Sequence, residues 1–234
     1  MCERVTIDLA LHHPEAICRV TSMAITRSFV GRFIGSEEEP PPEVSAWLDL
    51  RQFESLEDYL RACRKASKGG IHADVKRAYR EGYTFSEFVR QNHPREVEDI
   101  HRSCPERQGK PMRDAYLQDM GPEPVQPIPV TMPTCAEHWV RHFACQDKDN
   151  KVVAYITMRR VGTFSHYSMI IGHGEHLRHG VMGALHAQVV GYAMQRIGPW
   201  AGLSGIMYAG MFQGREGLVH WKKKALFVPV RLML

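Results

Sequence analysis

The chain has 234 residues, 44% of them hydrophobic and 24% charged, a balance that excludes a disordered or fibrous protein. Thirty Lys and Arg against 26 Asp and Glu leave a net charge of +4, so the chain is no polycation and any nucleic-acid contact must come from a local patch. The length allows one large domain or two small ones, either able to bury a core without metals or disulfides.

Two proline-rich stretches punctuate the sequence, Glu37 to Pro42 and Met120 to Pro133. Proline fixes φ and lacks an N–H, so both should be extended and irregular. The second is the main seam. It divides an N-terminal α+β region (1–120) from a core (134–234), with a proline-rich connection over 121–133. Val5 to Leu9 alternates like a strand, and Ser28 to Ile34 reads as another. Ser55 is an N-cap followed by Glu57 and Asp58; Leu56, Tyr59, Leu60 and Cys63 then mark one face of a helix ending near Gly69-Gly70. Beyond the double glycine, Ile71 to Tyr79 is predicted as a strand, Phe85 to Val89 as a short helix after Thr84, and Pro94 through Cys104 as a helix.

The C-terminal region is clearer. His138 to Cys145 alternates, Asp147 to Asn150 supplies turn residues, and Lys151 to Arg159 returns, predicting a β-hairpin. A strand over Ser165 to Ile171 ends at Gly172-His173-Gly174. Leu177, Val181, Leu185, Val189 and Tyr192 then recur at helical spacing to about Gln195. Leu203 to Tyr208 is a strand, Arg215 to Lys224 a short basic helix, and Leu226 to Leu232 a closing strand. Periodicity alone gives an α/β or α+β layer structure. The order hairpin, strand, helix, strand, helix, strand resembles the N-acyltransferase core of the GNAT type, which implies a mixed sheet flanked by helices, opening beside the strand before the long helix.

Two segments carry candidate chemistry. Gly180 and Gly183 lie early in the long helix, where free N–H groups favour an anion. Arg178-His179-Gly180-Val181-Met182-Gly183-Ala184 resembles the diphosphate loop of acetyl-CoA-dependent GNAT enzymes, but Leu177 stands at the Arg/Gln position and two residues separate the glycines where the motif has one. Near the C-terminus, Gly217-Leu218-Val219-His220-Trp221-Lys222, followed by Phe227-Val228-Pro229, resembles the ending of Fem-like transferases. These GNAT-fold enzymes move an amino acid from aminoacyl-tRNA to an amine. The chain is most similar to the small alanyl-tRNA-dependent type of pacidamycin biosynthesis. The resemblance covers about 100 residues from His138 onward. It implies aminoacyl-tRNA as co-substrate, no other cofactor, and a peptide or carrier-protein-tethered acceptor.

Aminolysis of an ester passes through a tetrahedral oxyanion, which a fixed cation stabilises by on the order of 3 kcal/mol. The resemblance gives that role to Lys222. Adjacent lysines on a helix point about 100° apart, so Lys223, Lys224 and Arg215 are candidates for tRNA phosphates instead. Trp221 is a candidate for base stacking or for the core. Arg107 and Lys110, in the basic run Arg102 to Lys110, are candidate substrate contacts, or cations at a helix end. His173 and Tyr208, near the sheet opening, are candidates for handling the proton of the attacking amine. An acyl-CoA N-acetyltransferase and a non-catalytic GNAT-fold nucleic-acid-binding module are the alternatives.

Six scattered cysteines (Cys2, Cys18, Cys63, Cys104, Cys135 and Cys145) without C-x-x-C spacing point to reduced thiols rather than a zinc site, and the histidines show no closed zinc spacing, so no metal is expected. No run approaches the roughly 18 apolar residues of a membrane helix. The Met1-Cys2-Glu3-Arg4 start lacks the regions of a secretory signal. A cytoplasmic protein without a membrane partner is the expectation.

Overall fold

The computed structural model describes residues 2–13, 15–107 and 110–234. In chain order, β1 (Glu3–Thr6), α1 (Ala16–Phe29), β2 (Ile34–Gly35) and β3 (Ser45–Asp49) precede α2 (Leu56–Ala66) and α3 (Ile71–Arg80). Then come β4 (Thr84–Glu87), α4 (Pro94–Arg102), the two-residue strands β5 (Glu106–Arg107) and β6 (Lys110–Pro111), and α5 (Asp114–Leu117). The remainder is β7 (His138–Gln146), β8 (Val152–Val161), β9 (Phe164–Gly172), α6 (Val181–Met194), β10 (Gly205–Gly210), α7 (Glu216–Lys224) and β11 (Val228–Met233). None of these helices is long and apolar enough to cross a membrane.

One mixed sheet runs in the order β1-β11-β3-β10-β9-β8-β7-β4, with β2 beside β11. The β7–β8 hairpin forms as the alternation requires. Asp147 accepts the backbone N–H groups of Asp149 and Lys151, both at 3.0 Å, and Asn150 takes the left-handed conformation that its short amide tolerates (φ 61°). Strand β8 lies mid-sheet and is buried almost throughout. Successive side chains leave a strand on opposite faces. Ile156 and Met158 join the core under α2, α3 and α6, whereas Tyr155 joins Val97 and Ile100 of α4. A third cluster packs Ile25 and Phe29 of α1 on Phe164 and Val161. The fold is therefore a large mixed sheet flanked by helices on both faces, as the GNAT-like order led us to expect. Strands β1 to β4 pair with β7 to β11, so the proline-rich connection separates the two regions in sequence but not into separate sheets.

Three N-terminal expectations are corrected. Ile71 to Tyr79 is helix α3: Gly70 precedes its first turn, and Ile71 and Ala78, seven apart, are its buried face. Phe85 to Val89 is not a helix, because Thr84 to Glu87 pairs antiparallel with Gln146 to Phe143 as the sheet edge. Ser28 to Ile34 is the end of α1, a turn and the start of β2. Helix α1 escapes a hydrophobicity pattern because its buried face is Cys18, Thr21, Ser22 and Ile25; the Thr21 hydroxyl is satisfied by the Ile17 carbonyl at 2.7 Å.

The sheet splits between β9 and β10. Strands β9 and β10 are paired only over Phe164–His166 and Gly205–Met207. Beyond Met207, β10 has a bulge against β3 and a left-handed Ala209 (φ 45°), while β9 continues with β8 to Gly172. A slot opens between Tyr167 to Gly172 on one side and Tyr208 to Gly210 on the other.

Candidate active site

Lys222 marks the β10 side of the slot. Helix α7 has Glu216 in its first turn and three lysines in its last, each suited to the helix dipole, and it turns Lys222 inward while Lys223 stays exposed. Lys222 is 1% exposed. Its ammonium donates to the carbonyls of Gly210 at 2.5 Å and Gln213 at 3.3 Å and lies 5.0 Å over the Tyr208 ring. Loss of water, uncompensated by any acid, pulls its pKa down to about 8. The group is therefore still mostly a cation at neutral pH, held by carbonyl dipoles with one N–H left over. Tyr208 is half-buried at the end of β10. Burial, and then the nearby Tyr116 hydroxyl, push its pKa well up, so it remains a donor and is unsuited to act as a base.

Beneath Tyr208 runs a buried hydrogen-bond chain. Tyr59 of α2 donates to the Ala225 carbonyl at 3.1 Å, so its oxygen accepts from His186 Nε2 at 2.8 Å. His186 Nδ1 is then the acceptor for the Tyr167 hydroxyl at 2.8 Å. Burial lowers the His186 pKa to about 3 and keeps this ring neutral. The Tyr167 ring meets Tyr208 edge-on at 5.9 Å. Trp221, a candidate for base stacking, packs instead against His186, Tyr208 and Phe227 at 5.3, 5.9 and 6.3 Å, so it is a wall of this cluster.

The β9 side carries the second cation. Arg107 donates to the carbonyls of Gly172 at 2.8 Å and Ile100 at 3.0 Å, and its buried Nε has no partner among the described residues. Burial lowers its pKa, while Cys104, Tyr155 and Tyr116 counteract this. His101 of α4 gives its Nδ1 proton to the Tyr116 carbonyl at 2.7 Å and accepts from the Tyr155 hydroxyl at 2.6 Å. Burial pushes the Tyr155 pKa up to about 12. Tyr116 is thus near both Tyr208 and Arg107.

The other expected residues are dispersed. His173 caps the turn after β9, its Nε2 3.9 Å from Asp99 and its ring centroid 5.4 Å from that of His176, with its buried Nδ1 unpaired among the described residues. Those contacts belong to α4 and the turn before α6, not to Lys222 or Tyr208. Arg215 and Lys223 are exposed at the two ends of α7, and Lys224 is half-buried near Asp74. Lys110 is exposed on β6, where it is the ladder partner of Arg107; Gln108 and Gly109, between them, lie outside the described residues.

The glycine-rich start of α6 is occupied by the chain itself. Gly180 is left-handed (φ 78°), and a side chain there would reach within 2.8 Å of the Asp74 Cα. A side chain at Gly183 would meet the Asp74 Cβ at the same distance. The two glycines therefore let α3 lie against α6, and Arg77 ties the pair by donating to the Arg178 carbonyl at 2.7 Å. Desolvation raises the Asp74 pKa despite Arg77 and Lys224. A carboxylate thus stands where a diphosphate would need open N–H groups. Sequence reasoning missed Asp74 because it took α3 for a strand, and missed His186 and Tyr59 because each looked like one more residue on an apolar helix face.

No protein-family model matches the sequence, and no curated protein does. Among solved structures the chain is similar to L-PGS from Bacillus licheniformis, at 17% identity and a TM-score of 0.48, over 81% of this chain and 58% of that one. It is also similar to a tandem GNAT protein from the clavulanic acid biosynthesis pathway, at 14% identity and a TM-score of 0.47, over 82% of this chain and 52% of that one. A GCN5-related N-acetyltransferase from Kribbella flavida aligns at 16% identity and a TM-score of 0.35, over 64% and 48% of the two chains. The chain spans little more than half the length of the first two structures.

Proposed function

We propose that this chain is an acyltransferase of the aminoacyl-tRNA-dependent kind, joining an amino acid to the amine of a peptide or carrier-tethered acceptor in the slot between β9 and β10. The observation that carries this reading is Lys222: a cation 1% exposed, held by carbonyls alone, at the lip of a split sheet. A lysine kept there without an acid costs folding free energy, which makes sense if a negative charge appears beside it during turnover. In the reaction the acceptor nitrogen bonds to the ester carbonyl carbon, the carbonyl oxygen takes up negative charge opposite Lys222, and the ribose oxygen leaves. The nitrogen's proton ends on that oxygen. Tyr208, which keeps its proton, donates a hydrogen bond to the same tetrahedral centre. Arg107 at the far side suits a carboxylate or phosphate on the acceptor. Exposed Arg215 and Lys223 are offered to tRNA phosphates.

Asp74 at the start of α6 counts against an acyl-CoA donor. Incubation with labelled aminoacyl-tRNA or labelled acetyl-CoA and a panel of amines decides the matter. Label should pass to an amine only from the aminoacyl-tRNA; transfer from acetyl-CoA alone would overturn the reading, and tRNA binding without transfer to any amine would favour a binding module.

A further inference from the structure

Away from the slot, on the α1 side of the sheet, four residues from two distant parts of the chain converge. His13 and Cys18 flank the entry to α1, and Cys135 and His138 join the proline-rich connection to β7. One ligand atom of each, two sulfurs and two imidazole nitrogens, lies within 4.8 Å of all the others. We propose that these four residues bind one zinc ion as a closed Cys2His2 structural site.

Three features of the geometry support the assignment. A tetrahedral zinc with sulfur at about 2.3 Å and nitrogen at about 2.0 Å sets neighbouring sulfur and nitrogen about 3.5 Å apart; Cys135 Sγ stands 3.3 Å from His13 Nδ1 and 3.6 Å from His138 Nδ1. Both imidazoles are also oriented from behind. His138 Nε2 donates to the Leu9 carbonyl at 2.9 Å, and His13 Nε2 faces the Glu137 carboxylate at 2.7 Å. Each Nε2 thereby carries the proton, and each Nδ1 presents its lone pair to the sulfurs, the arrangement that metal-bound histidines take from their outer partners. Finally, the thiols are buried close together, Cys18 at 2% and Cys135 at 4% exposure. Two adjacent buried thiols gain little from one another, but as thiolates they neutralise a divalent cation, releasing two protons to solvent.

Four protein ligands leave no open position, so this zinc would not be catalytic. It would fasten α1 to the start of β7, a place where the helix otherwise offers a largely polar buried face. The sequence shows no closed zinc spacing because the four residues come as His13-x4-Cys18 and Cys135-x2-His138, two half-sites 117 residues or more apart that only the fold brings together.

Metal analysis of the protein purified without chelator, followed by zinc removal and titration with Co(II), tests the proposal. One zinc per chain is expected, with a thiolate-to-cobalt charge-transfer band and the strong visible bands of four-coordinate cobalt. Glu137→Gln, which keeps all four ligands and changes a partly exposed carboxylate, should weaken zinc binding about 10- to 100-fold while the protein still folds. A chain that carries no zinc and takes up cobalt without the thiolate band overturns the site. So does a Cys18–Cys135 disulfide in the protein as isolated, or an unchanged cobalt spectrum in Cys135→Ser. If Cys135→Ser does not fold, the wild-type cobalt spectrum and the Glu137→Gln affinity still decide.

Discussion

Lys222 is a residue whose cost and use can be compared directly. Removing its ammonium abolishes a buried unpaired charge, so Lys222→Ala should leave the fold intact and leave tRNA affinity nearly unchanged, since the side chain does not reach the surface. If it stabilises the oxyanion, kcat should fall by about 10²- to 10³-fold with KM little altered, read in a transfer assay under saturating donor. Equal losses in affinity and turnover would point to a binding module. The pH profile separates this role from mere packing. Desolvation has brought the Lys222 pKa down to about 8, so the cation is lost as pH rises through about 8, and kcat should fall there. In Lys222→Ala the residual activity should lack that limb. His186 behaves in the opposite way, since its value lies in being neutral and doubly bonded. His186→Leu strips the Tyr167 hydroxyl of its acceptor, at a cost of about 1–3 kcal/mol, while Tyr59 loses a donor but keeps its bond to the Ala225 carbonyl, a change measurable by urea unfolding.

At the scale of elements, the contact between α3 and α6 closes the glycine-rich start of the long helix. Gly180 is left-handed and already at van der Waals distance from Asp74, so Gly180→Ala adds about 1–2 kcal/mol of backbone strain to a clash with the backbone of α3. A lowered urea midpoint with an unchanged m-value is the expected result; an unchanged midpoint would mean that α3 is not seated there. The same contact explains the limits of reading the chain from its sequence. The C-terminal elements were legible because the alternation of β7 and β8, the Asp147 to Asn150 turn and the apolar stripe of α6 agree with one another. Helix α3 was not, because its ten residues carry six polar or charged side chains and the double glycine before it reads equally as the end of one element or the start of another. Edge strand β4 was misread for a related reason: Thr84 suits a helix cap as well as a strand, and only pairing with β7 chooses. Of the slot, Lys222 could be found because a motif surrounds it, whereas Tyr167, His186, Tyr155 and His101 gain their meaning from hydrogen bonds across elements far apart in the chain.

The whole molecule carries a small positive charge and an unusual number of histidines, and these act in different experiments. With a net charge of +4, the proposed tRNA binding would rest on a few cations. Lys223→Ala should weaken binding about equally for different tRNAs and reduce the slope of log K against log salt by about 1. Acid stability depends on the buried rings. Burial lowers the pKa of His166 and His186 to about 3 and that of His142 to about 4, with Arg159 beside His166 and Arg90 beside His142 adding to the effect. All three folded-state values lie below the 6.5 of an exposed histidine, so in acid the unfolded chain takes up protons that the folded chain refuses. Stability should therefore be complete above about pH 7 and fall between about pH 6.5 and about pH 3. Three such groups give a slope approaching about 4 kcal/mol per pH unit near pH 5, since each proton contributes about 1.4. His166 is the ring to test, because it packs at a tilt against Phe29, ring centroids 4.5 Å apart, and among the described residues anchors no hydrogen-bond chain like that of His186. His166→Leu replaces a neutral buried ring with an apolar side chain, and in urea titrations across this range the slope should drop by about one proton. An unchanged slope would assign the acid transition to the carboxylates instead.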